Sequence, residues 1–138
     1  MDPYPSGDPV SRSERGAAAV EFALVLPLLV LLIAGIAEFG RLYYLQTTIS
    51  GAAREGVRTM ALQNNPGAAR STAKTAAGAV SLSDAQIVVS TLPGGDCLST
   101  STTPVTATVT ITYTTALMTG FFDASKTLTG KGVMRCGG

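Results

Sequence analysis

The sequence predicts an α+β protein: a long N-terminal membrane-spanning helix that continues into an amphipathic stalk, then a second short helix and a small antiparallel sheet head. Three observations lead to this prediction. Residues 22–37 carry no charge, apolar residues recur every three or four positions between residues 42 and 60, and apolar residues alternate with threonine over residues 105–113. These patterns are typical of a helix in lipid, an amphipathic helix and a half-buried strand, respectively.

The composition allows one modest domain and excludes several classes of function. The 138 residues are 46% hydrophobic and only 14% charged, which suits one segment in lipid and a small polar remainder. A net charge of +1, with scattered Lys and Arg, indicates that the chain binds no nucleic acid. The chain contains no His, the commonest general base and metal ligand. We therefore expect no enzyme, no cofactor and no metal site.

Residues 1–16 are polar, contain Pro, Gly, Arg12 and Arg15, and have no periodicity, so they are predicted to form a flexible, cleaved leader. Residues 17–38 are the predicted transmembrane helix, since the apolar segment from Ala17 runs to about 21 positions, interrupted only by Glu21. A buried core helix is a poor alternative. A protein this small has no interior that could surround a helix hydrophobic on all sides.

Residues 39–66 are predicted to continue this helix as an amphipathic stalk, giving one helix of about 45 residues. Asn64, Asn65, Pro66 and Gly67 then form a stop signal. Residues 67–138 are the predicted head, which lies outside the cytoplasm. The apolar stalk positions share one helical face and are Leu42, Leu45, Ile49, Ala52, Ala53, Gly56, Val57 and Met60.

The head is predicted to contain a second helix and three strands. The helix is expected at about residues 68–80, and the strands at residues 86–92, 105–113 and 127–135. Three short strands with one apolar face need a cover, which the amphipathic stalk supplies.

The most informative motif runs from Arg15 to Phe22, where Glu21 is the fifth residue after Gly16. An ionisable group in a membrane segment costs several kcal/mol unless it is paired, and it therefore usually marks function. The motif resembles the type III signal of type IV prepilins, in which a membrane aspartyl peptidase cuts after the glycine. Cleavage would free an α-ammonium at Ala17 that can pair with Glu21 of the same or a neighbouring subunit. The alternative is that Glu21 simply snorkels at the cytoplasmic interface.

About 46 residues, from Gly16 onward, are similar to the N-terminal domain of the TadE-like family, pseudopilins of the tight-adherence (Tad/Flp) pilus system. The residues that fit are Gly16, Glu21, Phe22, Pro27, Glu38–Phe39–Gly40–Arg41 and Ala53–Arg54–Glu55–Gly56. The resemblance implies a minor pilin or pseudopilin, with a processing site at Gly16 and Ala17 and assembly residues Glu21, Phe22 and Pro27. It also implies four kinds of partner: other pilins and pseudopilins, the prepilin peptidase, the membrane platform of the pilus machine, and membrane lipid.

Two side-chain pairs complete the expectations. Glu38 and Arg41, three residues apart, are predicted to form a local interfacial ion pair without a catalytic role. Cys97 and Cys136 are predicted to form a disulfide, with two buried free thiols as the alternative. The leader and the cysteines place the N-terminus in the cytoplasm and the head outside, on the bacterial inner membrane, with incorporation in an extracellular pilus as a further expectation.

The main competing hypothesis is a secreted or membrane-anchored binding domain with an ordinary signal peptide cut between Ala37 and Glu38. The charged Glu21 within the apolar core and the helix that continues past the supposed cut argue against it. A cation site made by Asp84, Asp96 and Asp123 is a weaker alternative, because these residues lie in separate loops.

Overall fold

The computed structural model describes residues 12–97, 104–118 and 124–137, with side chains from Gly16 onward. It has the predicted α+β fold. The elements are α1 (Arg12–Gln63), α2 (Pro66–Ala76), β1 (Ile87–Leu92), β2 (Thr106–Ala116) and β3 (Ser125–Arg135), with a short 3-10 helix at Asp84–Gln86. The chain divides between Ala37 and Glu38 into two compact units, of which the second holds the sheet.

Helix α1 contains 52 residues and is longer than the sequence predicted. It begins at Arg12, so the last residues of the predicted leader are helical. Adding a turn to an existing helix avoids the cost of nucleation, which explains how polar residues before the apolar segment join it. Pro27 lies inside α1 and does not end it.

The predicted stop signal forms a tight junction between the two helices. Asn64 has φ +47°, a left-handed conformation that ends α1. The Asn65 side chain accepts a hydrogen bond from the Ala68 N–H at 3.0 Å and caps α2, with Pro66 in the first turn. Helix α2 consequently starts two residues before the predicted position. It ends at Ala76, earlier than predicted.

The three strands form an antiparallel sheet in the order β1-β2-β3. In its register, Val109 lies opposite Val89 on one side and Gly132 on the other. The pairing of β2 with β3 extends to Ala116 opposite Ser125. Both strands are therefore longer than their apolar alternation indicated, because backbone pairing continues where the apolar pattern has ended.

The core of the second unit lies between this sheet and the helices. The predicted apolar face of α1 is buried except for Leu42, which is partly buried, and Ala107, Val109 and Ile111 of β2 are buried as predicted. Thr108, on the opposite face of β2, is 9% exposed. At Gly56, a Cβ atom would meet the Ala69 carbonyl oxygen at 3.1 Å and the Val109 Cγ1 at 3.5 Å. A larger residue at Gly56 would therefore separate α1 from α2 and β2.

Candidate functional site

The apolar part of α1 is exposed. Every side chain from Gly16 to Ile33 is open to the surroundings, and Leu24 and Leu28 are 75% and 71% accessible. A core helix of a water-soluble protein buries such residues, whereas a membrane segment presents them to lipid. In the described part of the chain, α1 is the one helix that is long and apolar enough to cross a membrane.

The predicted processing site lies near the start of α1. Gly16 is the fifth residue of the helix, and no heavy atom lies within 4 Å of a Cβ atom built on it. Ala17 follows it on the same exposed stretch. The remainder of the predicted leader, residues 1–11, lies outside the described residues.

The predicted assembly residues Glu21, Phe22 and Pro27 are all exposed on α1. Neither of the two ion pairs found among the described side chains includes Glu21. Ala17 and Glu21 are four residues apart on one helix, so they share a face and lie about 6 Å apart along the axis. An ammonium group at Ala17 would therefore lie one turn from the Glu21 carboxylate.

A polar cluster at the beginning of the second unit joins α1 to the end of β2. Glu38 is only 9% exposed, and its Oε1 lies 3.3 Å from the Arg41 Nη2, as the predicted ion pair requires. Its Oε2 accepts a hydrogen bond from the Met118 N–H at 2.8 Å. Arg41 donates in turn to the Ala116 carbonyl oxygen at 2.5 Å and to the Thr115 hydroxyl at 3.3 Å. The two charged groups thus hold the chain at the end of β2 against the helix.

The sequence predicted this ion pair but not the residues near the end of β2 that bind to it. Thr115, Ala116 and Met118 follow Arg41 and Glu38 by 74, 75 and 80 positions, respectively. No local pattern in the sequence pointed to these partners, because they lie so far along the chain from Glu38 and Arg41. Charge-assisted bonds of this kind are about twice as strong as neutral ones, so the cluster is an anchor for the sheet.

A second long-range connection lies at the other end of the sheet. Cys97 and Cys136 form the predicted disulfide, which links the segment after β1 to the end of β3. The Cys97 N–H donates to the Asn64 Oδ1 at 2.7 Å, and the Cys136 N–H donates to the Val105 carbonyl oxygen at 2.9 Å. Asn64 therefore both ends α1 and holds the disulfide-bonded loop, a role that its place in the stop signal did not reveal.

Of the three aspartates considered for a cation site, the structure describes Asp84 and Asp96. Asp84 forms an exposed ion pair with Lys74 at 2.9 Å, and Asp96 is exposed in the loop after β1. Asp123 lies outside the described residues. Among the residues that are described, no three His, Cys, Asp or Glu side chains are grouped as metal ligands.

One segment of the chain matches a known protein family. Residues 16–58 match the family described as TadE-like protein. This range contains the exposed apolar segment, the Glu38–Arg41 pair and most of the helical face that packs against the sheet. No curated protein and no solved structure shows significant similarity to the chain.

Proposed function

We propose that this chain, whose residues 16–58 form a TadE-like domain, is a membrane-anchored minor pilin or pseudopilin that acts in assembly of a tight-adherence pilus, in adherence or secretion. One observation carries the proposal. The family match covers the same stretch of α1 in which large apolar side chains are exposed, and exposure of this kind suits lipid or other apolar helices. The TadE-like domain supports an association with the Tad system and a non-enzymatic role.

In this proposal, a prepilin peptidase removes the leader between Gly16 and Ala17. Peptidases bind the chain in extended form, so the first two turns of α1 must unwind locally before cleavage. The position of Gly16 favours local unwinding, because Gly16 is within two turns of the start of the described helix and helix ends fray. Glycine in a helix also costs about 0.5–1 kcal/mol relative to alanine, which lowers the free energy of unwinding.

Cleavage creates a positive charge at Ala17 that the precursor does not have. The new α-ammonium of Ala17 would pair with the Glu21 carboxylate of its own or a neighbouring subunit, and in a filament this pairing would set the axial stagger of adjacent helices. The partners are therefore other pilins and pseudopilins, with the membrane platform of the pilus machine supplying the site of assembly. Phe22 and Pro27, also exposed on α1, would contribute to the same helix contacts.

We place the N-terminus in the cytoplasm and the second unit outside it, on the bacterial inner membrane. Two features support this orientation. Arg12 and Arg15 precede the apolar segment, and positive residues are enriched on the cytoplasmic side of membrane helices. Arg41 follows the segment closely, so this charge asymmetry is small. The Cys97–Cys136 disulfide favours an oxidising compartment for the head.

The direct test is the mass of the mature N-terminus after expression of the full chain with its prepilin peptidase. A chain that begins at Ala17 supports the proposal. A chain that begins at Glu38 would instead identify an ordinary signal peptide and a secreted binding domain. Gly16→Val should leave the leader attached, since the bulkier residue blocks the peptidase. Gly35→Val is the matched control, because a Cβ atom at either position meets no heavy atom within 4 Å.

Processing alone does not establish a role in the pilus. The processed protein should therefore also co-purify with pilus fibres or with the assembly machinery, and cells that lack it should make fewer fibres. Normal fibre yield without the protein, together with no co-purification, would contradict the proposed role.

A further inference from the structure

The beginning of the second unit exposes a group of large apolar side chains. Phe39, Tyr43, Tyr44 and Met118, here named the interfacial patch, are 72%, 64%, 58% and 78% exposed. Phe39 and Tyr43 stack with their ring centroids 6.5 Å apart. The patch therefore combines residues of α1 with a residue of the sheet region that follows β2.

The position of Met118 is fixed by the Glu38–Arg41 cluster. The Met118 N–H donates to Glu38 Oε2 at 2.8 Å, and Arg41 holds the carbonyl oxygen of Ala116. These contacts use the backbone around Met118 and leave its side chain free. The cluster thus places an apolar side chain of the head beside the first residue of the second unit.

The depth of the interfacial patch relative to a membrane follows from its distance along the chain from the uncharged segment. Glu38 is bonded to Ala37, the last residue of the uncharged segment. A helix rises 1.5 Å per residue, so Phe39 lies at the end of that segment, and Tyr43 and Tyr44 lie about 8–9 Å beyond Glu38. The headgroup layer of one leaflet is about 5–8 Å thick, so these residues fall within it or at its outer edge. Tyrosine is enriched at this level of membrane proteins because it combines an apolar ring with a polar hydroxyl.

We infer that the interfacial patch is a lipid-binding surface, by which the end of β2 rests in the outer headgroup layer of the membrane that α1 spans. The inference rests on the proposed membrane anchoring of α1. Continuity with that segment is the reason to assign lipid as the occupant. In this arrangement Arg41 and the Met118 N–H bind the buried Glu38 carboxylate, and the head contacts the bilayer at two points, α1 and Met118.

The test uses the full chain in phospholipid vesicles in which some lipids are spin-labelled near the top of the acyl chains and others near the chain ends, so that a fluorophore at either depth is quenched. Both native cysteines are in the disulfide, so a cysteine introduced by Met118→Cys can carry a single fluorophore. Leu28→Cys, in the apolar segment, is the positive control. Leu62→Cys is the negative control, because Leu62 is 63% exposed but lies about 36 Å beyond Glu38 along α1.

We expect the label at position 118 to be quenched several-fold more than the label at position 62, and to approach the value at position 28. Ala116→Cys, whose side chain is exposed at the same end of β2, gives a second reading if the Met118 variant misfolds. Equal quenching at positions 118, 116 and 62, with strong quenching at 28, would overturn the inference and leave the anchor intact. Absence of quenching at position 28 would overturn the anchor and the inference together.

A contact with another protein copy would give a different result. The label at position 118 would then be shielded from water without being quenched by the spin-labelled lipids. That shielding would disappear when the protein is diluted in excess lipid. This outcome would assign the interfacial patch to a protein interface and overturn the lipid assignment.

Discussion

The close approach of β3 to α1 makes a strong prediction for Gly130 and Gly132. A Cβ atom on Gly130 would lie 2.5 Å from the Ile49 carbonyl oxygen, and one on Gly132 would lie still closer to the Ala53 carbonyl oxygen. Carbon and carbonyl oxygen normally approach to about 3.3–3.6 Å. Each alanine therefore requires β3 to move by about 1 Å from the helix, and no side-chain rotation relieves the contact, because both obstacles are backbone atoms.

The expected cost follows from two opposing effects. Replacing glycine by alanine in open space stabilises a helix or strand by about 0.5–1 kcal/mol. Overpacking a core costs about 1–3 kcal/mol, and a clash between two backbones lies at the upper end of that range. We expect Gly130→Ala and Gly132→Ala each to reduce the free energy of unfolding of the second unit by about 2 kcal/mol net.

Hydrogen exchange of β2 and β3 in the detergent-solubilised full chain measures this loss. A change of about 2 kcal/mol corresponds to exchange that is roughly 30-fold faster. Gly51→Ala is the matched control, because Gly51 lies exposed in α1 with no heavy atom within 4 Å of an added Cβ, and it should be neutral or slightly stabilising. If the Gly132 variant exchanged as slowly as the Gly51 variant, the close approach of β3 to α1 would be wrong.

Three further predictions concern the long-range connections and the proposed assembly. Replacing Cys97 and Cys136 by serine should cost about 4 kcal/mol in the chain-entropy model, because the disulfide closes a loop with a sequence separation of 39; thermal unfolding measures it. Asn64→Ala should cost about 2–4 kcal/mol in the same assay, through the lost hydrogen bond to the Cys97 N–H and the strain of a left-handed alanine. Glu21→Gln and Glu21→Ala should leave cleavage and insertion intact but reduce pilus incorporation, because an unpaired ammonium costs about 3–5 kcal/mol.

Each of these predictions has an internal control. Reduction of the native disulfide should reproduce the loss seen with the double serine variant. Asn64→Gly should cost less than Asn64→Ala, since glycine accepts the positive φ and loses only the side-chain acceptor. Pilus yield of the Glu21 variants is compared with their own membrane level; normal incorporation of both would leave Glu21 as a tolerated interfacial charge.

Much of the architecture followed from local patterns in the sequence. The apolar segment of α1, the buried face of the stalk and the inward residues of β2 were all predicted correctly, because each depends on spacing within a few neighbouring residues. The match to a TadE-like domain at residues 16–58 likewise lies within the segment whose residues carried the resemblance. The predicted ends of the elements were less accurate: α1 starts at Arg12 and not at residue 17, and β2 reaches Ala116 and not residue 113. Helix extension and strand pairing, which set these ends, do not require apolar periodicity.

Tertiary structure alone decided which distant residues meet. Sequence spacing identified Glu38 and Arg41 as a local pair, but only the fold brings the end of β2 to them, about 75–80 positions later in the chain. The same is true of Asn64, whose side chain holds the loop at Cys97, and of Gly132, whose missing side chain lets a strand lie on a helix backbone. Periodicity records which face of an element is buried. It does not indicate which distant residues that face contacts, because those contacts depend on how separate elements cross in space.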